Sequence, residues 1–148
     1  MHTGEGLHRF TDPADGETYL YSQFEVADCR RMFAVWDQPD LKATFRFTVT
    51  APAHWQIVSN QPTPEPQPAE HTWRDPSGNE RPTATWSFGT TPVMSSYITA
   101  LVAGPYDVVR DSVSTRRGEV PLAIYCRRSL SEFLDSDNVF DCTKRGFE

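Results

Sequence analysis

Apolar and polar residues alternate at every second position over several short stretches of this chain. The clearest is Leu41 to Thr50, where Phe45, Phe47 and Val49 alternate with Thr44, Arg46, Thr48 and Thr50. A period of two puts the first set on one face of a strand and the second on the other. One buried and one wet face marks an antiparallel sheet. Thr83 to Phe88 repeats the pattern with Ala84, Trp86 and Phe88 on one side. Thr18 to Phe24, Trp55 to Ser59, Tyr106 to Val113 and Val120 to Cys126 read as further strands. Tyr97 to Ala103 is a continuous apolar run, suited to a strand covered on both faces. Turn signals punctuate these runs: Asp12-Pro13, Asp15-Gly16, an Ala51-Pro52 break, Gly104-Pro105 and the polar Thr115 to Glu119.

Three stretches depart from this rhythm. Gln61 to Pro82 is rich in Pro, Glu, Gln, Asp and Gly, and predicts a long exposed loop or hairpin tip with Trp73 as a lone anchor. Val26 to Trp36 is a short helix or irregular, and Cys29, Met32, Phe33 and Trp36 form a helical stripe that reads as core packing. Asp135-Ser136-Asp137 predicts a helix start capped by Ser136 or Asp137, with Phe140 and Phe147 as its apolar positions. That helix is expected to be still running at Glu148. Asp37-Gln38-Pro39-Asp40 predicts a structural turn that starts the Leu41 strand, because Pro39 fixes its own φ and extends Gln38.

The 148 residues suffice for one domain with a sizeable core, and 12 prolines with 12% aromatics suit a loop-rich β protein. A net charge of -6 argues against nucleic acid as a partner. Cys29, Cys126 and Cys142 are odd in number and widely spaced, which disfavours a disulfide framework or a cysteine zinc site. The expected setting is reduced and cytoplasmic. MHTGEGLHRF has no signal-peptide pattern, and no apolar run reaches the roughly 20 residues of a membrane span.

Complete catalytic motifs are absent from the sequence. His2, His8, His54 and His71 make no H-E-x-x-H, in which two histidines one helical turn apart hold zinc. Gln23 and Glu25 carry the best candidate chemistry. Two residues apart on a strand, a carboxamide oxygen and a carboxylate face one spot, which suits an ammonium group with three donors and a positive charge. The bland alternative is the solvated face of an edge strand. Arg30-Arg31 is either an anion site or, more simply, surface or carboxylate-paired. Asp135 and Asp137 lack the further oxygen ligands of a calcium loop.

Gln23-Phe24-Glu25 followed by Asp37-Gln38-Pro39 resembles the substrate-anchoring segment of the aminopeptidase N family of zinc metallopeptidases. The likeness extends to GEGLHRFTDPADGETYLYSQFE, FRFTVTAPAHWQIVSNQP, WSFGTTPVMSSYITALVAGPYDVV and EVPLAIYCRRS, and is greatest to cytoplasmic, actinobacterial members. The resemblance implies a mainly β fold: a partial antiparallel β-sandwich or saddle with a short C-terminal strand and helix start. Residues 1–115 would be an N-terminal β domain lacking its first strands, and 116–148 the truncated opening of a thermolysin-like catalytic domain. It further implies that Glu25 is the counter-charge to the ammonium of a peptide with a free N-terminus, with Gln23 its hydrogen-bond partner. The zinc ligands and the second glutamate of the family lie outside this sequence. The expected function is therefore part of a zinc metalloaminopeptidase, inactive alone, whose partner is the missing catalytic domain of the parent chain. A free-standing β-sandwich binding module and a non-functional truncated product are the alternatives.

Overall fold

A computed structural model describes residues 5–75 and 77–147. Nine strands are present among them: β1 (Gly6–Thr11), β2 (Thr18–Gln23), β3 (Thr48–Pro52), β4 (Gln56–Ser59), β5 (Gln67–Arg74), β6 (Glu80–Ser87), β7 (Leu101–Gly104), β8 (Asp107–Thr115) and β9 (Gly118–Cys126). A single α-helix, α1 (Ser136–Arg145), follows. A four-stranded sheet has the order β1-β2-β7-β4, a three-stranded sheet the order β3-β6-β5, and β8 pairs with β9. Every pairing is antiparallel.

The two larger sheets share one core. Ile57, Leu101 and Ala103 come from the four-stranded sheet, and Ala51, Ala84 and Trp86 from the three-stranded one, with Phe88 just beyond β6. This mainly β, partial sandwich is the fold class expected from the sequence. The Ala84, Trp86, Phe88 alternation holds, and each of these side chains is buried. Such interdigitation makes the core sensitive to the loss of single methylene groups.

Several local expectations need correction. The Leu41–Thr50 alternation survives as burial only from Phe45 onward, and regular pairing begins only at Thr48. Before it, the chain is extended and held by a bridge between Ala43 and Met94 and by Phe45, whose N–H donates to Thr91 Oγ1 at 2.9 Å. The Thr91 and Phe88 N–H groups donate to the Phe45 and Phe47 carbonyls at 2.8 and 2.9 Å, so the neighbour there is irregular chain and not a strand. The Ala51-Pro52 break falls inside β3, which tolerates proline because β3 is an edge strand. Gln61 to Pro82 contains most of a hairpin, β5–β6, with an irregularity between Pro68 and Thr72. Trp73 packs against Trp55, with ring centroids 6.4 Å apart. The Tyr97–Ala103 run splits into a 3₁₀ turn at Ser96–Ile98 and the four-residue β7.

The Val26–Trp36 stripe reduces to a 3₁₀ turn at Cys29–Arg31. Cys29 is buried as expected, whereas Trp36 is 83% exposed because the chain leaves helical geometry before reaching it. At the C-terminal end the cap of α1 is Asp135 rather than Ser136 or Asp137, its side chain accepting from the Asn138 N–H at 3.2 Å. Phe140 is buried and Phe147 exposed. The helix ends at Arg145, and Glu148 lies outside the described residues.

Candidate functional site

β2 ends at Gln23, and the next residue, Phe24, turns inward to 2% exposure. Gln23 and Glu25 on either side of it are exposed, but Glu25 lies in the turn beyond β2, so the shared strand face expected of the pair stops at Gln23. Among the described residues, neither side chain has a hydrogen-bond or ion-pair partner. The buried Phe24 ring meets Phe33 edge-on at 6.5 Å, fixing the strand end between its two polar neighbours. The Phe24 carbonyl accepts the Asp28 N–H at 3.1 Å, which closes the turn after Glu25. The Val26–Ala27 peptide within that turn is cis.

Carboxylates and arginine fasten the turn from below. Arg31 donates to Asp28 at 2.7 Å and to Glu5 at 2.7 Å, so this half of the Arg30-Arg31 pair is carboxylate-paired. Gly6 lies opposite Gln23 in the β1–β2 register with φ at +82°. A Cβ there would stand 3.0 Å from Arg31 Cβ, so glycine admits both the left-handed backbone and the arginine stem. Asp37 ties the turn to the segment that precedes β7. Its carboxylate accepts from the Arg30 N–H at 3.0 Å and from the Ser96 hydroxyl at 2.6 Å. Ser95 Oγ donates to the Pro39 carbonyl. The Asp37-Gln38-Pro39 turn is thus structural, though it leads into irregular extended chain and not directly into a strand.

The sheet face that carries Gln23 is aromatic. Residues directly opposite in an antiparallel pair share a face. Gly6 faces Gln23, His8 faces Tyr21, and Phe10 faces Tyr19. His8 stacks on Tyr21 with centroids 4.7 Å apart and planes 3° from parallel. A groove of about 440 Å³ begins at Phe10, Tyr19 and Tyr21 and continues to Tyr106, Tyr125 and Leu130. Burial pushes the Tyr19 hydroxyl well above its ordinary titration range, reinforced by its hydrogen bond to Asp15 at 2.6 Å.

Sequence reasoning read Asp12-Pro13 only as a turn and missed the contacts of Asp12. Its carboxylate is buried and accepts from Ser129 Oγ at 2.6 Å, Arg127 Nη1 at 2.8 Å and the Ala14 N–H at 3.0 Å. These donors, Ser129 foremost, hold its pKa below the ordinary carboxylate range. Arg127 also lies over the Phe10 ring, 4.7 Å from its centroid. Turn patterns signal local bonds such as Ala14 to Asp12. They carry no signal for partners more than a hundred residues away.

The zinc ion implied by the resemblance finds no fitting donor set. Among the described residues no three His, Cys, Asp or Glu side chains group to hold a metal ion. His8 lies in β1, His54 in the turn after β3 and His71 in β5, while His2 is outside the described residues. Asp135 is used as a helix cap. Among the described residues no helix is long and apolar enough to cross a membrane.

Residues 3–98 match the peptidase M1 N-terminal domain. The chain belongs to the peptidase M1 family. It is 51% identical to aminopeptidase N of Streptomyces lividans over 99% of its length, covering 15% of that protein. Aminopeptidase N of Acetobacter pasteurianus is 43% identical over 89% of the chain, which covers 34% of that relative. Aminopeptidase M1 of Arabidopsis thaliana is 34% identical over 83% of the chain, which covers 13% of it. The chain therefore spans a minor part of the length of each of these relatives.

Proposed function

We propose that this chain is the substrate-anchor part of a zinc metalloaminopeptidase that removes N-terminal residues from peptides. The observation that carries this reading is the pair of exposed side chains of Gln23 and Glu25 around the buried Phe24, unpartnered among the described residues, in a chain of the M1 family. Glu25 supplies the counter-charge to the peptide's terminal ammonium, and Gln23 an oxygen that accepts one of its protons. Zinc is held by residues outside this chain, which positions only the amino end of the substrate. Its natural partners are peptides with a free N-terminus and the catalytic domain of the parent chain, in the cytoplasm.

In this reading the domain division between 115 and 116 runs through the tip of the β8–β9 hairpin, so that hairpin joins the anchor domain to the catalytic one. Alone, the chain is inactive and binds weakly, since an exposed ammonium–carboxylate pair is worth about 0–1 kcal/mol. Enclosure by the catalytic domain strengthens the same pair by removing water.

Hydrolysis of alanyl and leucyl arylamides by the aminopeptidase-length protein tests this. Glu25→Gln is expected to lower kcat/KM by about 10- to 100-fold, the worth of a hydrogen bond to a charged group. Unchanged activity would make Glu25 a solvated turn residue.

A further inference from the structure

We infer that Asp12 is a positioning residue for the Gln23–Glu25 anchor, acting through a polar latch with Arg127 and Ser129; this rests on the function proposed above. Asp12 is 4% exposed and sits in the turn between β1 and β2. Its carboxylate takes both Arg127 and Ser129, residues 115 and 117 positions away, which follow β9 on the way to α1. One further contact repeats the join, and a second braces it from within the hairpin. The Arg128 N–H donates to the Tyr19 hydroxyl at 3.3 Å, and that hydroxyl donates to Asp15. One end of the β1–β2 hairpin is thereby pinned to the segment after β9.

The other end of the same hairpin carries the anchor. Gly6 pairs with Gln23 at the end away from the Asp12 turn, and six register pairs run between. At about 3.4 Å per residue, such a strand spans about 17 Å. β2 is also paired with β7 at Leu20 and Tyr21, so the latch at one end and the β7 pairing together set the direction in which the β2 end at Gln23 leads into Glu25. In the proposed division the latch crosses from residues 1–115 to 116–148. It therefore fixes the anchor relative to the part of the chain that leads toward the catalytic machinery. An ion pair with only one partner nearly enclosed, Arg127 retaining partial exposure, suits such a role because it specifies geometry.

A double-mutant cycle in the aminopeptidase-length protein tests the inference, with kcat and KM measured separately on leucyl arylamide. Asp12→Ala is expected to raise KM by about fivefold, the scale of coupling through packed elements, with a smaller change in kcat. The same substitution in a Glu25→Gln background is expected to have no further effect, because the group it positions is already lost. Asp12→Asn, which keeps an acceptor for Ser129, is expected to restore part of the KM. Arg127→Gln serves in the same cycle should Asp12→Ala fail to fold. Equal Asp12→Ala effects with and without Glu25 would overturn the latch while leaving the anchor intact. A silent Glu25→Gln would overturn the anchor itself.

Discussion

The Ser96 hydroxyl donates to the Asp37 carboxylate at 2.6 Å, joining two segments 59 residues apart. Ser96 is 1% exposed, so the bond is sheltered from water on that side. The second oxygen of Asp37 takes the Arg30 N–H. One carboxylate therefore holds the turn that follows Glu25 against the 3₁₀ turn that precedes β7. Asp37→Ala leaves a buried hydroxyl without its partner, and is expected to cost about 1.5–3 kcal/mol, read as a lower denaturation midpoint at unchanged slope. Ser96→Ala removes the donor and leaves Asp37 its other bond, so its expected cost is smaller.

Gly6 makes a second, local requirement. Its left-handed φ costs a residue with a Cβ about 1–2 kcal/mol, and the Arg31 stem adds a contact that must give way. Gly6→Ala is expected to lower thermal stability, whereas Gly16→Ala, where no heavy atom lies within 4 Å of an added Cβ, should lose only the backbone part. Equal losses at both positions would remove the Arg31 contact from the account.

Acid sensitivity follows from carboxylates whose acidity is raised by their partners. Asp12 is held down foremost by Ser129, Asp75 by the Asn79 N–H, and Asp111 by Lys144. Each has a folded pKa below the ordinary aspartate value of 3.8. Below that value the unfolded chain binds more protons than the folded one, so stability falls as pH falls. These contributions are present above about pH 4 and lost as pH drops through the folded values. Melting temperature followed from pH 7 to pH 2.5 is expected to fall most steeply at the acid end, with a shallower fall in Asp12→Asn.

The three cysteines should separate cleanly in thiol labelling. Cys29 is fully buried, and burial pushes its thiol pKa up. Cys142 is exposed on α1 and Cys126 half-buried at the end of β9. A maleimide followed by peptide mass spectrometry should mark Cys142 first, Cys126 more slowly and Cys29 only on unfolding. Early modification of Cys29 would contradict the packing of the turn after Glu25.

Much of the fold was legible because burial imposes period two on strands. Ala84, Trp86 and Phe88 could be placed from their spacing alone. Phe45 to Thr50 kept its alternation, but Leu41 to Thr44 are exposed throughout, and before Thr48 the neighbour is irregular chain around Thr91, which sequence period does not report. Trp36 failed for a related reason: a 3.6-residue stripe says nothing about where a helix stops, and this one is a single 3₁₀ turn. The candidate anchor was legible only through its order with Asp37 and Pro39, because Gln and Glu two apart are common on any wet strand. Asp12, Arg127 and Ser129 meet through tertiary structure, so nothing local in their sequence announced them.

The central claim is that Glu25 recognises a terminal ammonium. Its most direct test is inhibition of the aminopeptidase-length protein by leucinamide and by its des-amino analogue, 4-methylpentanamide, in wild type and Glu25→Gln. The account predicts that the wild type prefers the amine and that the substitution erases most of this preference while leaving the des-amino analogue unaffected. A preference that survives Glu25→Gln undiminished would contradict it.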